Sequence, residues 1–238
     1  MMTRKLADWA SVNPSTARSR RALFRDVLAG AAAVVAADQA LSSPVSAQTA
    51  LSPDAAVQQL IDGNARFAEG RMTSFDEDLS ILKAKTTEKQ EPFAAVLSCA
   101  DSRVPVELIF DQSIGHVFVT RVAGNIATGP VIGSLEYGVA VLGTKAIMVL
   151  GHANCGAVKA SIEAKAVPGQ ISTLYQYIRP AVDLAGPNLE ATIKANAKMH
   201  AALLRQSSPV LADHIKQNQL KIVAAYYDLA SGRVTVLD

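Results

Sequence analysis

Four short segments of the chain are almost continuously apolar, without the alternation of apolar and polar residues that marks a half-buried strand. They occupy residues 93–97, 117–120, 146–150 and 221–226. Runs of this length are typical of strands that are buried on both faces of a sheet. Between the runs, apolar residues recur at helical spacing after a polar or glycine-rich stretch. The pattern therefore predicts right-handed crossovers through helices and a mainly parallel sheet.

Helical spacing also predicts the elements around this sheet. Residues 52–71 predict an N-terminal helical arm, with Ser52 as its cap and Pro53 in its first turn. Further helices are predicted at 131–142, 155–164, 171–184, 189–205 and 210–216. Residues 227–237, with Ser231 and Gly232 in the middle, predict a terminal strand extension. We expect a single α/β domain over residues 48–238, with about four core strands in a mainly parallel sheet flanked by helices.

The first 47 residues have the layout of an export signal rather than of a folded domain. Arg20 and Arg21 lie in a run that resembles the twin-arginine motif, residues 27–37 are weakly apolar, and residues 45–47 offer small side chains for cleavage. This apolar stretch is too short for a hydrocarbon core, which needs about twenty residues. We therefore expect residues 1–47 to be removed, a periplasmic location, and no stable membrane anchor after cleavage.

Composition and charge narrow the class of the remaining chain. Half of the 238 residues are hydrophobic, which is enough for one well-filled core. Residues 1–47 contain six of the 23 lysines and arginines and three of the 21 acidic residues, so the remainder has a formal net charge of −1. Such a chain lacks the basic surface that nucleic acid requires, and we expect no nucleic-acid partner.

Two cysteines and one histidine follow predicted strands. Cys99 comes directly after the first run in the stretch SCADSR, and His152 and Cys155 follow the third run in the stretch GHANC. Functional groups collect where parallel strands deliver their carboxyl ends. Two sulfurs and one imidazole form a soft ligand set that suits zinc. A disulfide between the cysteines is the alternative in an exported protein, but it gives no role to His152, Asp101 or Arg103.

A metal held by three protein ligands has a fourth position open, as in catalytic rather than structural zinc sites. Water bound there becomes a strong nucleophile near neutral pH. This predicts the hydration or hydrolysis of a small electrophile, and the ligands alone do not say which one. His116, His200 and His214 receive no role from the sequence.

Four motifs together resemble the β-class carbonic anhydrases, and the resemblance extends over residues 52–238. The motifs are CADSRVP (99–105), RVAGN (121–125), SLEYGV (134–139) and GHANCGAV (151–158). The resemblance implies reversible hydration of carbon dioxide to bicarbonate and a proton, by attack of zinc-bound hydroxide, with one Zn²⁺ per subunit. It implies that Cys99, His152 and Cys155 bind the metal and that Asp101 pairs with Arg103.

The resemblance also implies a particular state of the site. In this family the carboxylate at Asp101 either accepts a hydrogen bond from zinc hydroxide or binds the zinc as a fourth ligand and closes the site. The open subclass lines its substrate pocket with residues that correspond to Gln90, Phe118 and Tyr137. The closed subclass tends to have a tryptophan where this chain has Val96. The open form is therefore expected near neutral pH.

Members of the family assemble, so the resemblance implies a homodimer or homotetramer whose pocket residues come from two protomers, and the amide of Gly156 could face bound bicarbonate. Two alternatives remain open at the level of the sequence. The same ligands would suit the hydration of CS2 or COS. A zinc-storage or structural protein would use Asp101 as a permanent fourth ligand, although the Asp101–Arg103 pair and the set Gln90, Phe118 and Tyr137 argue against it.

Overall fold

The computed structural model describes residues 49–74, 86–87 and 89–237, which fall in one compact unit. The predicted export signal lies outside these residues. The strands are β1 (Ala94–Ser98), β2 (Val117–Arg121), β3 (Ala146–His152), β4 (Lys221–Tyr227) and β5 (Val234–Val236). They form one sheet in the order β2–β1–β3–β4–β5. The first four are parallel and β5 is antiparallel to β4, which confirms the mainly parallel sheet with a terminal extension.

Successive side chains of each strand point to opposite faces of the sheet. Each face packs in its own hydrophobic layer, so the sheet is buried on both sides. Every residue of β1 and β3 is buried. One layer contains Val96 and Met148, and the other contains Leu97 and Val149. This arrangement is the physical reason for the unbroken apolar runs in the sequence.

Helices cover both faces of the sheet. They are α1 (Pro53–Ala68), α2 (Val106–Ile109), α3 (Gly129–Ala140), α4 (Gly156–Glu163), α5 (Tyr175–Ala185), α6 (Leu189–Ser207) and α7 (Pro209–Lys216), with a 3₁₀ turn at Ile171–Leu174 before α5. The sequence predicts all of them within a few residues except α2, whose four residues are too short for a helical period to be recognised. Within the described part of the chain, no helix has the length and apolar character needed to cross a membrane.

Helix α1, the predicted arm, packs against the sheet of its own chain. Ser52 caps it by accepting a hydrogen bond from the N–H of Ala55 (3.2 Å). Leu60 is fully buried in the layer that contains Val96. A side chain at Gly63 would place its Cβ 1.8 Å from the carbonyl oxygen of Phe110, so only glycine permits this close approach.

Candidate metal centre

Three candidate ligands meet at the carboxyl edge of the sheet. Cys99 directly follows β1, His152 ends β3, and Cys155 is the N-cap of α4. Because β1 and β3 are hydrogen-bonded neighbours, with Ser98 opposite Leu150, their ends deliver these side chains to one place. One ligand atom from each residue, two sulfurs and a ring nitrogen, lies within 4.8 Å of the others, and all three residues are buried. This spacing suits a single metal ion.

The ring of His152 is oriented for metal binding. Its Nδ1 lies 2.9 Å from the carbonyl oxygen of Ala153. Since a carbonyl oxygen only accepts, Nδ1 carries the hydrogen and Nε2 keeps a free lone pair. Nε2 is buried and has no hydrogen-bond partner among the residues that the structure describes. A bound metal ion would satisfy this atom, so the residue fits the role of a ligand.

The two thiols are buried and free rather than joined in a disulfide. Hydrogen bonding with Cys155 lowers the pKa of the Cys99 thiol, and the N–H of Gly124 lowers it further against the opposing effect of burial. The same pairing with Cys99, together with burial, raises the pKa of Cys155. The two sulfurs therefore share one proton, which a divalent cation would displace on binding.

Arg103 holds the carboxylate of Asp101 beside the cluster. The Nε and Nη2 atoms of Arg103 donate to the two carboxylate oxygens at 2.9 and 2.8 Å, and its backbone N–H donates to Oδ1 at 2.9 Å. Asp101 Oδ2 lies 3.8 Å from Nε2 of His152. The Arg103 side chain is the main reason that the pKa of Asp101 lies well below its usual range. An ionised carboxylate therefore stands next to the ligand cluster at neutral pH.

Arg121 and Gly124 also contact the ligand loop, although neither was expected to have a role in the site. Arg121 donates from Nε to the carbonyl of Cys99 (2.9 Å) and from Nη2 to the carbonyl of Asp101 (2.5 Å). The N–H of Gly124 donates to the sulfur of Cys99 (3.3 Å). Both residues come from β2 and the turn after it, so their contacts follow from the pairing of β2 with β1. The signal in the sequence is the stretch RVAGN after an apolar run.

The three residues expected in the substrate pocket lie together, away from the thiols of the same chain. Gln90 and Tyr137 line a cavity of about 460 Å³, whose other lining residues are Thr86, Thr87, Lys89, Val141 and Leu142. The ring of Phe118 packs 6.3 Å from that of Tyr137. Phe118 pairs with Ala95, four residues before Cys99, which corresponds to about 13 Å along the strand. Phe118 is therefore set back from Cys99 along the strand, and none of the three candidate ligands lines the cavity.

Gly156 is the first residue of α4 and is exposed. A Cβ placed there would meet no atom within 4 Å, so packing does not require glycine at this position. Its amide follows Cys155 at the helix N-terminus, where backbone N–H groups have no partners within the helix. The structure therefore places an N–H donor directly after one of the candidate ligands.

Comparison with known proteins gives consistent results. The sequence pattern of the carbonic anhydrase family matches residues 94–234. A carbonic anhydrase of Mycolicibacterium smegmatis is 36% identical over 191 residues, which covers 77% of this chain and 92% of that protein. A β-carbonic anhydrase of Coccomyxa, solved in complex with acetazolamide, is 26% identical with a TM-score of 0.59, covering 76% of this chain and 86% of that one. A tetrameric β-carbonic anhydrase of Sordaria macrospora shares the fold, with 22% identity and a TM-score of 0.60 over 67% of this chain and 90% of that one.

The fold and the cluster together define an α/β enzyme domain with a candidate Cys–His–Cys metal centre at the carboxyl edge of a parallel sheet. The chain belongs to the carbonic anhydrase family, in its β class. The class and the enzymatic activity predicted from the four motifs are thereby confirmed, and the activity is the hydration of carbon dioxide.

Proposed function

We propose that the chain converts carbon dioxide reversibly to bicarbonate and a proton at one Zn²⁺ per subunit, bound by Cys99, His152 and Cys155. The observation that carries the proposal is the buried triad, whose ligand atoms lie within 4.8 Å of one another and include Nε2 of His152, which no described residue hydrogen-bonds. Two thiolates and a neutral imidazole match the ligand preference of zinc. When bound, zinc supplies the Lewis acidity that turns water into a nucleophile near neutral pH.

In this proposal Asp101 orients the attacking water. Its carboxylate is ionised and accepts a hydrogen bond, which directs an oxygen lone pair at carbon dioxide. Arg103 binds both carboxylate oxygens and so opposes the rotation that would bring Asp101 onto the metal as a fourth ligand. The open form is therefore proposed near neutral pH, and the presence of Gln90, Phe118 and Tyr137 supports it. A crystal structure at pH 8 with Asp101 bound to zinc would contradict this assignment.

We further propose a homodimer or homotetramer in which the substrate pocket of each site is completed by a second copy of the chain. The separation between the Gln90, Phe118 and Tyr137 group and the thiols of the same chain supports this arrangement. Tyr137 is 47% exposed although its ring is largely apolar, and a partner would cover it. The amide of Gly156, next to Cys155, is proposed to donate to bicarbonate.

We also propose that residues 1–47 direct export by the twin-arginine route and are then removed, which gives a periplasmic enzyme without a stable membrane anchor. The argument comes from Arg20, Arg21 and the short apolar stretch that follows them. The intact mass of protein recovered from the periplasm tests this proposal, because cleavage predicts a chain that begins close to residue 48.

The function itself is tested by stopped-flow hydration of carbon dioxide together with zinc analysis of the same sample of residues 48–238. One zinc per chain and rapid hydration are expected. Hydration that survives complete removal of the metal would contradict the proposal.

A further inference from the structure

Helix α6 presents three polar side chains to the interior at four-residue intervals. Thr192, Asn196 and His200 are at most 1% exposed. Residues four apart lie on one face of a helix, so these three form a single buried polar row. Burying a polar side chain is unfavourable unless it is hydrogen-bonded. Asn196 and His200 find their hydrogen-bond partners in the segment that contacts Cys99.

The segment that they contact is a tight turn directly after β2. The N–H of Asn125 donates to the carbonyl of Val122 (2.9 Å), and Gly124, the third residue of the turn, has φ +78°. These features define a type II turn, which requires glycine or asparagine at its third position. A Cβ at Gly124 would also lie 2.8 Å from Cδ1 of Ile178. In this turn the N–H of Gly124 is not used by the turn itself and donates to the sulfur of Cys99 (3.3 Å).

Helix α6 fixes this segment at both ends. Nδ2 of Asn196 donates to the carbonyl oxygen of Gly124 (2.9 Å), and Nδ1 of His200 accepts from the N–H of Ala127 (3.1 Å). Burial lowers the pKa of His200 to about 4, so the ring is neutral and keeps its acceptor at neutral pH. Asn125 also has a positive φ (+45°), in the left-handed region that asparagine adopts more readily than most residues.

We propose that Asn196 is a positioning residue for the metal centre: it fixes the carbonyl of Gly124, and thereby holds the neighbouring N–H of Gly124 on the sulfur of Cys99. This inference rests on the proposed function, because it concerns a thiolate that binds a metal. A hydrogen bond to a thiolate withdraws charge from the sulfur, which weakens its donation to the ion and fixes its orientation. Asn196 thus influences how the Cys99 sulfur binds the metal without contacting the metal itself.

The experiment compares Asn196→Leu with the wild-type protein after loading with Co²⁺, whose thiolate charge-transfer absorption reports on the sulfurs. Leucine has the same branching at Cγ as asparagine and no side-chain N–H group, although its two methyl groups are bulkier than the amide. We expect the charge-transfer band to move to longer wavelength, because a sulfur without the hydrogen bond gives up charge more easily. In competition with a chelator, we expect Zn²⁺ affinity to fall about 10- to 100-fold, because the loss of the fixed orientation of the sulfur outweighs its stronger donation to the ion. Asn196→Ser, which is too short to reach Gly124, gives the same test if the leucine variant does not fold.

Thr192→Val is the matched control. Thr192 lies one turn earlier in the same buried row, but its hydroxyl bonds to the carbonyls of Gly186 and Asn188 (2.8 and 2.9 Å), outside the turn. This variant should lose stability while keeping the wild-type band and metal affinity.

Three results would overturn the inference. An unchanged band and unchanged metal affinity in the Asn196 variants, or an equal shift in Thr192→Val, would remove the positioning role and leave the proposed function intact. Wild-type protein that takes up neither Co²⁺ nor Zn²⁺ would overturn the proposed function, and the inference would fall with it.

Discussion

At the scale of single residues, the account depends on a division of roles between neighbours in the stretch SCADSR. Cys99 contributes a sulfur to the cluster, Asp101 stands 3.8 Å from His152 Nε2, and Arg103 binds both oxygens of Asp101. After β1 the chain is no longer extended: residues 101–104 form a turn, closed by the N–H of Val104 on the carbonyl of Asp101 (3.1 Å). This turn brings the guanidinium of Arg103 back onto the carboxylate of Asp101, two residues after the ligand Cys99.

Asp101→Asn should separate metal binding from catalysis. Asparagine keeps the shape of the side chain but is neutral, so it orients the attacking water less well and loses the ion pair with Arg103. We expect zinc content to stay at the wild-type level and hydration to fall about 10- to 100-fold. Zinc analysis and stopped-flow hydration check both values. Asp213→Asn, which removes an exposed ion pair with Lys216, should change neither. Loss of zinc from Asp101→Asn would show that Asp101 is a ligand in the resting protein.

The residues of the site differ in how far the sequence could predict them. Cys99, His152 and Cys155 each follow an apolar run or begin a helix, so the sequence pattern alone places them at one edge of the sheet. The contacts of Arg121, Gly124 and Asn196 could not be predicted in this way. Their partners lie 20 to 72 residues away in the chain, and each contact depends on how strands and helices pack.

At the scale of elements, a buried aspartate joins α1 to the segment after α2. The side chain of Asp111 is fully buried and accepts from Nε of Arg66 (2.5 Å) and from the backbone N–H groups of Thr73 and Ser74 (both 2.9 Å). Burial alone would raise its pKa. The N–H of Ser74 and the side chain of Arg66 outweigh this and hold the pKa of Asp111 well below its usual range.

Asp111→Asn should destabilise the protein in a pH-dependent way. A carboxyl group whose folded-state pKa lies below the unfolded value of about 3.9 stabilises the fold above that pH, and this contribution disappears as the pH falls through the folded-state pKa. We expect the variant to lose about 1.5–3 kcal/mol at pH 7, the range for hydrogen bonds to a charged group. The deficit should shrink below about pH 4.

Urea unfolding of wild type and variant at a series of pH values measures the difference in their free energies of unfolding. Both proteins have the same metal site, so its contribution cancels from this difference. Asp62→Asn is the control, since Asp62 accepts from Gln58 on the exposed side of α1. A deficit that is constant down to pH 3 would contradict the proposed role of the carboxylate charge.

The elements themselves were largely predictable because unbroken apolar runs and helical spacing are both clear in this chain. Apolar runs mark β1 to β4, and capping residues such as Ser52 mark helix starts. Helix α2 is a single turn and has no such pattern. The packing of α1 on its own sheet was also beyond the sequence, because an amphipathic helix at the end of a chain can cover either its own core or that of a neighbour.

At the scale of the whole molecule, each complete site is proposed to need two copies of the chain. The metal ligands come from one chain, and Gln90, Phe118 and Tyr137 are proposed to come from the other. Two defective variants should therefore complement each other. A mixed dimer of Cys155→Ser with Gln90→Ala/Tyr137→Ala contains one site in which both contributions are wild type.

When the two variants are refolded together in equal amounts, we expect about one quarter of wild-type activity per chain, since half of the dimers are mixed and each has one intact site. Hydration assays before and after mixing measure this recovery. The control is Cys155→Ser mixed with Cys99→Ser, where every site lacks a ligand and no recovery is expected. Mixed dimers that form without recovery of activity would place the whole pocket within one chain.

The central claim is that Cys99, His152 and Cys155 hold the ion on which hydration of carbon dioxide depends. The most direct measurement is a titration of metal-stripped protein with Zn²⁺, followed by stopped-flow hydration, on wild type, Cys155→Ser and Ser161→Ala. Ser161 is the control, since it lies buried in α4, the helix that Cys155 caps, and its hydroxyl donates to the carbonyl of Ala157 (2.9 Å). Activity in wild type and Ser161→Ala should rise linearly and level off at one zinc per chain, and Cys155→Ser should stay inactive. Full activity in Cys155→Ser, or in the metal-stripped protein before zinc is added, would contradict the account.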